Sequence, residues 1–297
     1  MRLVATTPGS KPVPEAIRGA LHAVSSHDLR VLVESLSVPR VYGTAENEAV
    51  RRLIIDRLAT SGFDRPSIEE DEEGNVIVGD PRRARVLVGA HYDAVPGTPG
   101  ADDNASAVAV LLAVARVVGP HPEVCHVAFN GEEFDLAGSR AFVGRLGRNR
   151  LEQVHVLEMV GYTSRAPGSQ RNPIPPTRIP TVGDFLGLVG THRSRRALDR
   201  VLMLASSSAV PVQGLYLPPV PLGVIRRLAP HVLRSDQAPF WEAGIPALMW
   251  TDTAEFRNPN YHRSSDTPET LDCDFMAGVT RLLIHVILSG LGAGRRP

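Results

Sequence analysis

The stretch H-Y-D-A-V-P-G-T-P-G-A-D-D-N-A-S-A at residues 91–107, followed by V-C-H-V-A-F-N-G-E-E at 124–133, decides how this chain is read. Val86–Ala90 and Val124–Phe129 are short apolar runs without polar alternation, the pattern of strands covered on both faces. Between them Ala105–Val118 is apolar nearly all round, as a buried helix is. Strand, helix, strand makes a βαβ unit. His91 and the pair Glu132-Glu133 fall just past its strands, where open α/β sheets collect their chemistry. A third apolar run, Val154–Val160, is interrupted by Glu158, and a carboxylate there is costly unless paired or metal-bound.

Outward from this unit, the remaining elements follow from periodicity. Apolar Ile17, Leu21, Val24, Leu29, Val31 and Leu32 predict one helix over 15–36. A second helix starts from Thr44 as N-cap, carries Val50, Leu53, Ile54 and Leu58 on one stripe, and stops at Gly62. I-E-E-D-E-E-G-N-V-I-V-G-D reads as two short strands around a solvated acidic turn at Glu73-Gly74-Asn75. Leu136–Leu146 and Ser194–Leu204 read as helices, Pro246–Thr251 as a strand and Asp274–Leu288 as the closing helix. Residues 163–230 are proline-rich and predict an irregular access or lid region. The expectation is one α/β domain over 1–297, with a mixed, largely parallel central sheet and helices on both faces.

Composition narrows the function class. The chain has 297 residues, a formal net charge of zero and Lys11 as its only lysine. No basic stripe interleaved with aromatics is present, which argues against a nucleic-acid partner. Cys125 and Cys273 match no metal-ligand spacing and are expected as free, buried thiols. Prolines interrupt the N-terminal stretch where a secretory peptide needs an apolar run, and the longest apolar run, Ala105–Ala115, is shorter than a bilayer span. These features predict a cytoplasmic protein without a membrane partner, and a monomer. Phe185, Phe240, Trp241 and Phe256 are expected to fill the core.

The polar residues of the opening stretch each have a plain reading and a chemical one. His91 and Asp93 could be a solvated pair, or a metal ligand whose second ring nitrogen is held by a carboxylate. Asp102-Asp103-Asn104 could cap the buried helix. Alternatively Asp102 could bridge two cations about 3.5–4 Å apart, with capping left to Asp103 or Asn104. Glu132 and Glu133 could be a solvated turn, or a general base beside a ligand. Their shared position at the ends of strands favours the chemical reading.

In order along the chain, H-Y-D, G-A-D-D-N-A-S-A, N-G-E-E-F-D-L-A-G-S, L-E-M-V-G-Y, R-S-D-Q-A-P-F and Y-H-R-S-S-D-T resemble the motifs of the di-zinc aminopeptidases. That family includes bacterial leucyl aminopeptidases and, more distantly, glutamate carboxypeptidases, glutaminyl cyclases and transferrin receptors. The resemblance covers about residues 45–288. It implies a zinc-exopeptidase sandwich fold and two Zn²⁺ ions held by His91, Asp102, Glu133, Glu158 and His262, with Asp102 bridging. It also implies Glu132 as general base, Asp93 behind His91, Tyr261 as a donor to the oxyanion, and a cis peptide bond at Asp102–Asp103. The implied activity is removal of N-terminal residues from peptides or small amino-acid-derived substrates.

Three positions depart from the family pattern: Glu158 stands for a common Asp, Gln237 for a common His and Ala107 for a common Gly. Arg234, in the same motif as Gln237, is a candidate for binding a substrate terminus or for a salt bridge with Asp236 or another acid. A glutaminyl cyclase-like acyltransferase using one zinc, and a binding relative without catalysis, are the alternative readings.

Overall fold

The structure, a computed structural model, describes residues 1–175 and 177–293. The opening βαβ unit forms as expected. β1 (Arg2–Ala5), β2 (Ile68–Glu70), β3 (Val76–Val78), β4 (Val86–His91) and β5 (Val124–Phe129) join β6 (Gln153–Glu158), β7 (Leu186–Gly190), β8 (Val212–Tyr216) and β9 (Ala247–Thr251). They make one nine-stranded sheet in the order β1-β8-β7-β9-β6-β4-β5-β3-β2. The four central strands β5, β4, β6 and β9 run parallel, and antiparallel pairs flank them. Their carboxyl ends therefore lie side by side.

Helices cover both faces because the central strands are apolar on both. In β9, Leu248 and Trp250 face one core while Ala247 and Met249 face the other, the period of two that a strand imposes. The first core is closed by α1 (Glu15–His22), α2 (Ser26–Leu36), α3 (Ala45–Thr60), α4 (Ala107–Val118), α6 (Arg195–Ala205) and α9 (Cys273–Ala293). The second core lies under α5 (Ala137–Leu146), α7 (Leu222–Leu228) and α8 (Gln237–Glu242). α9 is long and apolar enough to cross a bilayer over Cys273–Leu291; 67% of its most apolar window is buried inside the protein, against α1, α2, α4 and α6. Cys125 and Cys273 are free and buried.

Several expectations are corrected here. Residues 15–36 form two helices, because the Ser25 hydroxyl accepts from the Asp28 amide at 3.2 Å and caps a new start. Thr44 caps α3 as predicted, accepting from Asn47 at 3.2 Å, and Gly62 ends it at φ +93°. The 163–230 region is not a lid throughout: β7 and β8 within it extend the sheet, and the expected helix between them, α6, packs on one face. Glu158 is the last residue of β6 and not mid-strand. The acidic turn is not wholly solvated, since Asn75 is buried and accepts from the Asn130 amide at 2.9 Å. Phe185, Phe240 and Trp241 are core residues, whereas Phe256 lines a cavity.

Candidate metal centre

Four adjacent strand ends supply the site. β4 ends on His91, β6 ends on Glu158, β5 leads into Asn130–Glu133, and β9 leads through Asp252 to Tyr261 and His262. Asp93 receives the backbone N–H groups of both Glu132 (3.1 Å) and Glu133 (3.1 Å), and its Oδ1 lies 3.4 Å from His91 Nδ1. One buried carboxylate thus locates a histidine and two glutamates. Asn130 is tied to Asn47, Asn75 and the Glu73 carbonyl, which fixes the start of the Glu132-Glu133 loop.

The polar atoms gather into two trios, His91 with Glu132 and Glu158, and Asp103 with Glu133 and His262; within each, the ligand atoms lie within 4.8 Å of one another. Asp103 joins the two. Its Oδ1 is 3.3 Å from His91 Nε2 and its Oδ2 is 3.1 Å from His262 Nε2. Glu133 Oε1 is 3.2 Å from His262 Nε2, and Glu158 Oε2 is 3.5 Å from His91 Nε2.

This geometry corrects the expected register by one residue. Asp102 is not among the convergent donors: its Oδ1 accepts from the Gly161 amide at 2.9 Å and its Oδ2 from Asn258 Nδ2 at 2.6 Å. The cis peptide bond is Asp103–Asn104 and not Asp102–Asp103. The cause is a kinked turn over Ala101–Ser106, in which Asp103 and Asn104 leave helical geometry. The turn starts at Gly100, with φ +58°, where a Cβ would meet the Asp103 carbonyl oxygen at 2.3 Å. Asn104 does not cap α4 but joins the turn to β6, donating to the Leu157 carbonyl and accepting from the Met159 amide.

Other residues also hold this turn. Asp266 accepts from the amides of Asp102 (2.9 Å) and Asp103 (3.1 Å). Arg40, fully buried, donates to the carbonyls of Tyr92 (2.5 Å), Pro99 (2.5 Å) and Gly100 (2.7 Å). Burial pulls its guanidinium down to about 10, against the upward pull of Asp103 and Asp93. Gln237 is buried and donates to the Val232 carbonyl at 2.9 Å, a packing role for the position that departs from the family. Arg234 pairs with Glu255 and not with Asp236, at the edge of the site cavity.

The residues fit a multivalent cation. Both ring nitrogens of His91 are buried and make no aligned hydrogen bond, an expensive arrangement that metal ligation relieves. Burial depresses the His91 and His262 imidazoles, but the surrounding carboxylates outweigh it and hold both high, His262 at about 10. Burial pushes Glu132 up, and Glu158, Asp236 and Glu133 push it further; Glu133 is likewise raised by burial and by Asp103. Burial opposes ionisation of Asp103, yet the two histidines hold its carboxylate well below the usual range. Such a crowd of acids is neutralised either by protons or by cations, and the inward-facing donors suit the latter.

Tyr261 stacks on His262 with ring centroids 3.8 Å apart, and burial with nearby Asp103 raises its phenol so that it remains a proton donor. A cavity of about 490 Å³ opens beside the trios. Val189, Leu215 and Met249 are among its lining residues, and they are register neighbours across β8, β7 and β9.

The model of peptidase family M28 matches residues 75–183 and 225–287, which contain every convergent donor. The chain is 38% identical over 221 residues to the uncharacterized protein YfbL of Escherichia coli, covering 68% of this chain and 66% of that protein. It is 44% identical over 221 residues to aminopeptidase YwaD of Bacillus subtilis, covering 71% of this chain but 42% of that one. The chain thus spans less than two thirds of the length of the curated relatives it matches. The fold is that of the Legionella pneumophila LapA aminopeptidase, with a TM-score of 0.67 at 17% identity over 92% of this chain and 74% of that one. Because the family match takes in more than half of the 297 residues and both trios, the chain belongs to peptidase family M28.

Proposed function

We propose that this chain is a zinc-dependent exopeptidase that removes N-terminal residues from peptides, with one zinc held by His91, Asp103 and Glu158 and a second by Asp103, Glu133 and His262. The observation that carries the reading is Asp103, whose two oxygens face two histidines from different strand ends. The similarity to a B. subtilis protein named aminopeptidase supports the reaction class. Bound there, zinc acidifies water and polarises the scissile carbonyl.

The remaining steps belong to the side chains. With Asp103 serving both positions, Glu132 is free to act as general base, because its carboxylate reaches the His91 trio while its amide is pinned by Asp93. It takes the proton of the attacking water and returns it to the leaving amine. The Tyr261 phenol donates to the developing oxyanion. The apolar cavity floor accepts the side chain of the residue removed.

The test is hydrolysis of aminoacyl-arylamides and dipeptides by purified protein supplied with Zn²⁺. Turnover abolished by chelation and by Glu132→Gln is the expected result. No hydrolysis by the zinc-loaded protein would overturn it. A cyclase using a single zinc would need only one trio, and the second trio weighs against that reading.

A further inference from the structure

We propose that Phe134, with Tyr42 behind it, forms the subsite for the residue that follows the scissile bond and favours an aromatic or long aliphatic side chain there. The inference rests on the exopeptidase reading above. A single exposed apolar side chain means little by itself. Phe134, however, is 68% exposed, while every other aromatic side chain among the described residues is buried or half-buried. It also follows directly on Glu133, a donor of the second trio.

The ring is built into place. It stacks on Tyr42, with centroids 5.5 Å apart and planes 20° from parallel, which leaves its other face to solvent. Tyr42 is anchored in turn: its hydroxyl donates to Glu73 at 2.7 Å, and a Cβ on Gly131 would meet its ring at 3.0 Å. The Phe134 amide donates to the Gly131 carbonyl (3.2 Å) and the Leu136 amide to the Glu132 carbonyl (2.9 Å), which closes the loop. Asp135 and Leu136 both adopt left-handed backbone, at φ +58° and +59°, a conformation that costs energy in residues other than glycine. The turn thus buries Leu136 and keeps Phe134 outside. A ring already held rigid in water loses little freedom when a partner covers it.

Position identifies the occupant. The cavity floor lies on β8, β7 and β9, whereas Phe134 follows β5 and Tyr42 is tied to the turn between β2 and β3. In the sheet order these lie on opposite sides of His91 and Glu158, at the ends of β4 and β6. Glu133 and Asp135 line the cavity, and Phe134 between them points away from it. A peptide with its first side chain in the cavity and its scissile carbonyl at the donors therefore leaves across Phe134. The next side chain meets a bare aromatic face there, and ring stacking or apolar contact is the attraction.

The test compares leucyl-phenylalanine amide with leucyl-glycine amide on the full chain supplied with Zn²⁺. Wild type should favour the phenylalanyl substrate about tenfold in kcat/KM, with the difference carried by KM. Phe134→Ala should bring the ratio close to one, and Phe134→Tyr should keep it. Calorimetric binding of the two amides to Glu132→Gln, with and without Phe134→Ala, should show the same difference without turnover.

The proposal is overturned if wild type or Glu132→Gln does not distinguish the two amides, or if Phe134→Ala keeps the wild-type ratio. It is also overturned if Phe134→Ala lowers both substrates alike, which would make the ring a prop of the Glu133 loop. Failure of wild type to hydrolyse either amide would instead remove the exopeptidase reading itself, which separates the two outcomes.

Discussion

Asn258 donates to Asp102 at 2.6 Å, and with the Gly161 amide on the other oxygen it turns Asp102 away from the two histidines that Asp103 faces. Adjacent aspartates thus have opposite roles, and substitution should separate them. Asp103→Asn is expected to lose both zinc ions. Asp102→Asn should keep them while lowering stability by about 1–3 kcal/mol, because the new amide would confront the Asn258 amide in a buried setting. Zinc content after dialysis, read beside a urea melt, distinguishes the pair; the reverse pattern would return the bridging role to Asp102.

Glu132 and Asp93 should also part company. Glu132→Gln keeps the size and the backbone contact to Asp93, so zinc content should hold while kcat falls about 10²–10⁴-fold. Asp93→Asn loses an acceptor shared by two amides and beside His91, so it should weaken metal binding as well as turnover. Equal zinc affinity in wild type and Asp93→Asn would show that Asp93 does not govern the site's shape.

The strand ends that carry the centre are legible in the sequence because a doubly covered strand is a plain apolar run, and the chemistry follows directly after it. His91, Glu132, Glu133 and Glu158 can be found this way, whereas His262 lies in the loop well beyond β9 and is reached through the Y-H-R-S-S-D-T motif. The choice between Asp102 and Asp103 cannot, because it depends on a kinked turn over Ala101–Ser106 that helical periodicity does not encode. Arg40 and Asn258 are similarly silent, since each acts on a segment 60 or more residues away; Asp266 lies within a motif, but its grip on the Asp102 and Asp103 amides is not encoded there. β7 and β8 escape notice because proline-rich flanks disguise short strands that gain their stability from the sheet beside them.

Chelated protein should show an unusual pH profile. Burial raises Asp236 and Asp266 to about 7 and Asp252 to about 6, while the carboxylates around His262 lift it to about 10 against the pull of burial. In each case the folded state binds its proton more tightly than the unfolded one, so the contribution to stability is fully present at low pH. The three aspartates lose theirs as pH rises from about 4 to 7, and His262 loses its own between about 6.5 and 10. Asp103, held low, contributes the opposite sense but is ionised throughout this range. The imidazoles of His126, His155, His231 and His285, lowered by burial, also contribute the opposite sense, and their contribution is complete once pH has passed the ordinary histidine value of about 6.5. The Tm of chelated protein should therefore fall from about pH 7.5 to pH 9, and the Tm gain on adding Zn²⁺ should grow over the same interval. A chelated protein more stable at pH 9 than at pH 7.5 would contradict the raised proton affinity of His262 and the aspartates.

Arg40 should matter to stability out of proportion to its distance from the chemistry. Its guanidinium satisfies carbonyls of Tyr92, Pro99 and Gly100, and Arg40→Met would strip the donor from those of Tyr92 and Pro99, while that of Gly100 keeps the Ala105 amide. A loss of about 2–4 kcal/mol is expected. Arg40→Lys should recover only part of it, since one ammonium cannot span the fork. Urea unfolding of the chelated proteins measures this without interference from zinc.

The cavity floor makes the last prediction. Val189 is paired in register with Met249 on one side and Leu215 on the other, so a larger side chain at this central position has no neighbouring gap to enter and must rise into the cavity. Val189→Phe should leave turnover of alanyl substrates near wild type while cutting kcat/KM for leucyl and phenylalanyl substrates about 10–100-fold, the scale on which apolar pockets discriminate by size. Because the metal donors lie at the strand ends beyond this row, zinc content should not change. A uniform loss across all substrates, with zinc retained, would mean that the side chain of the cleaved residue binds elsewhere.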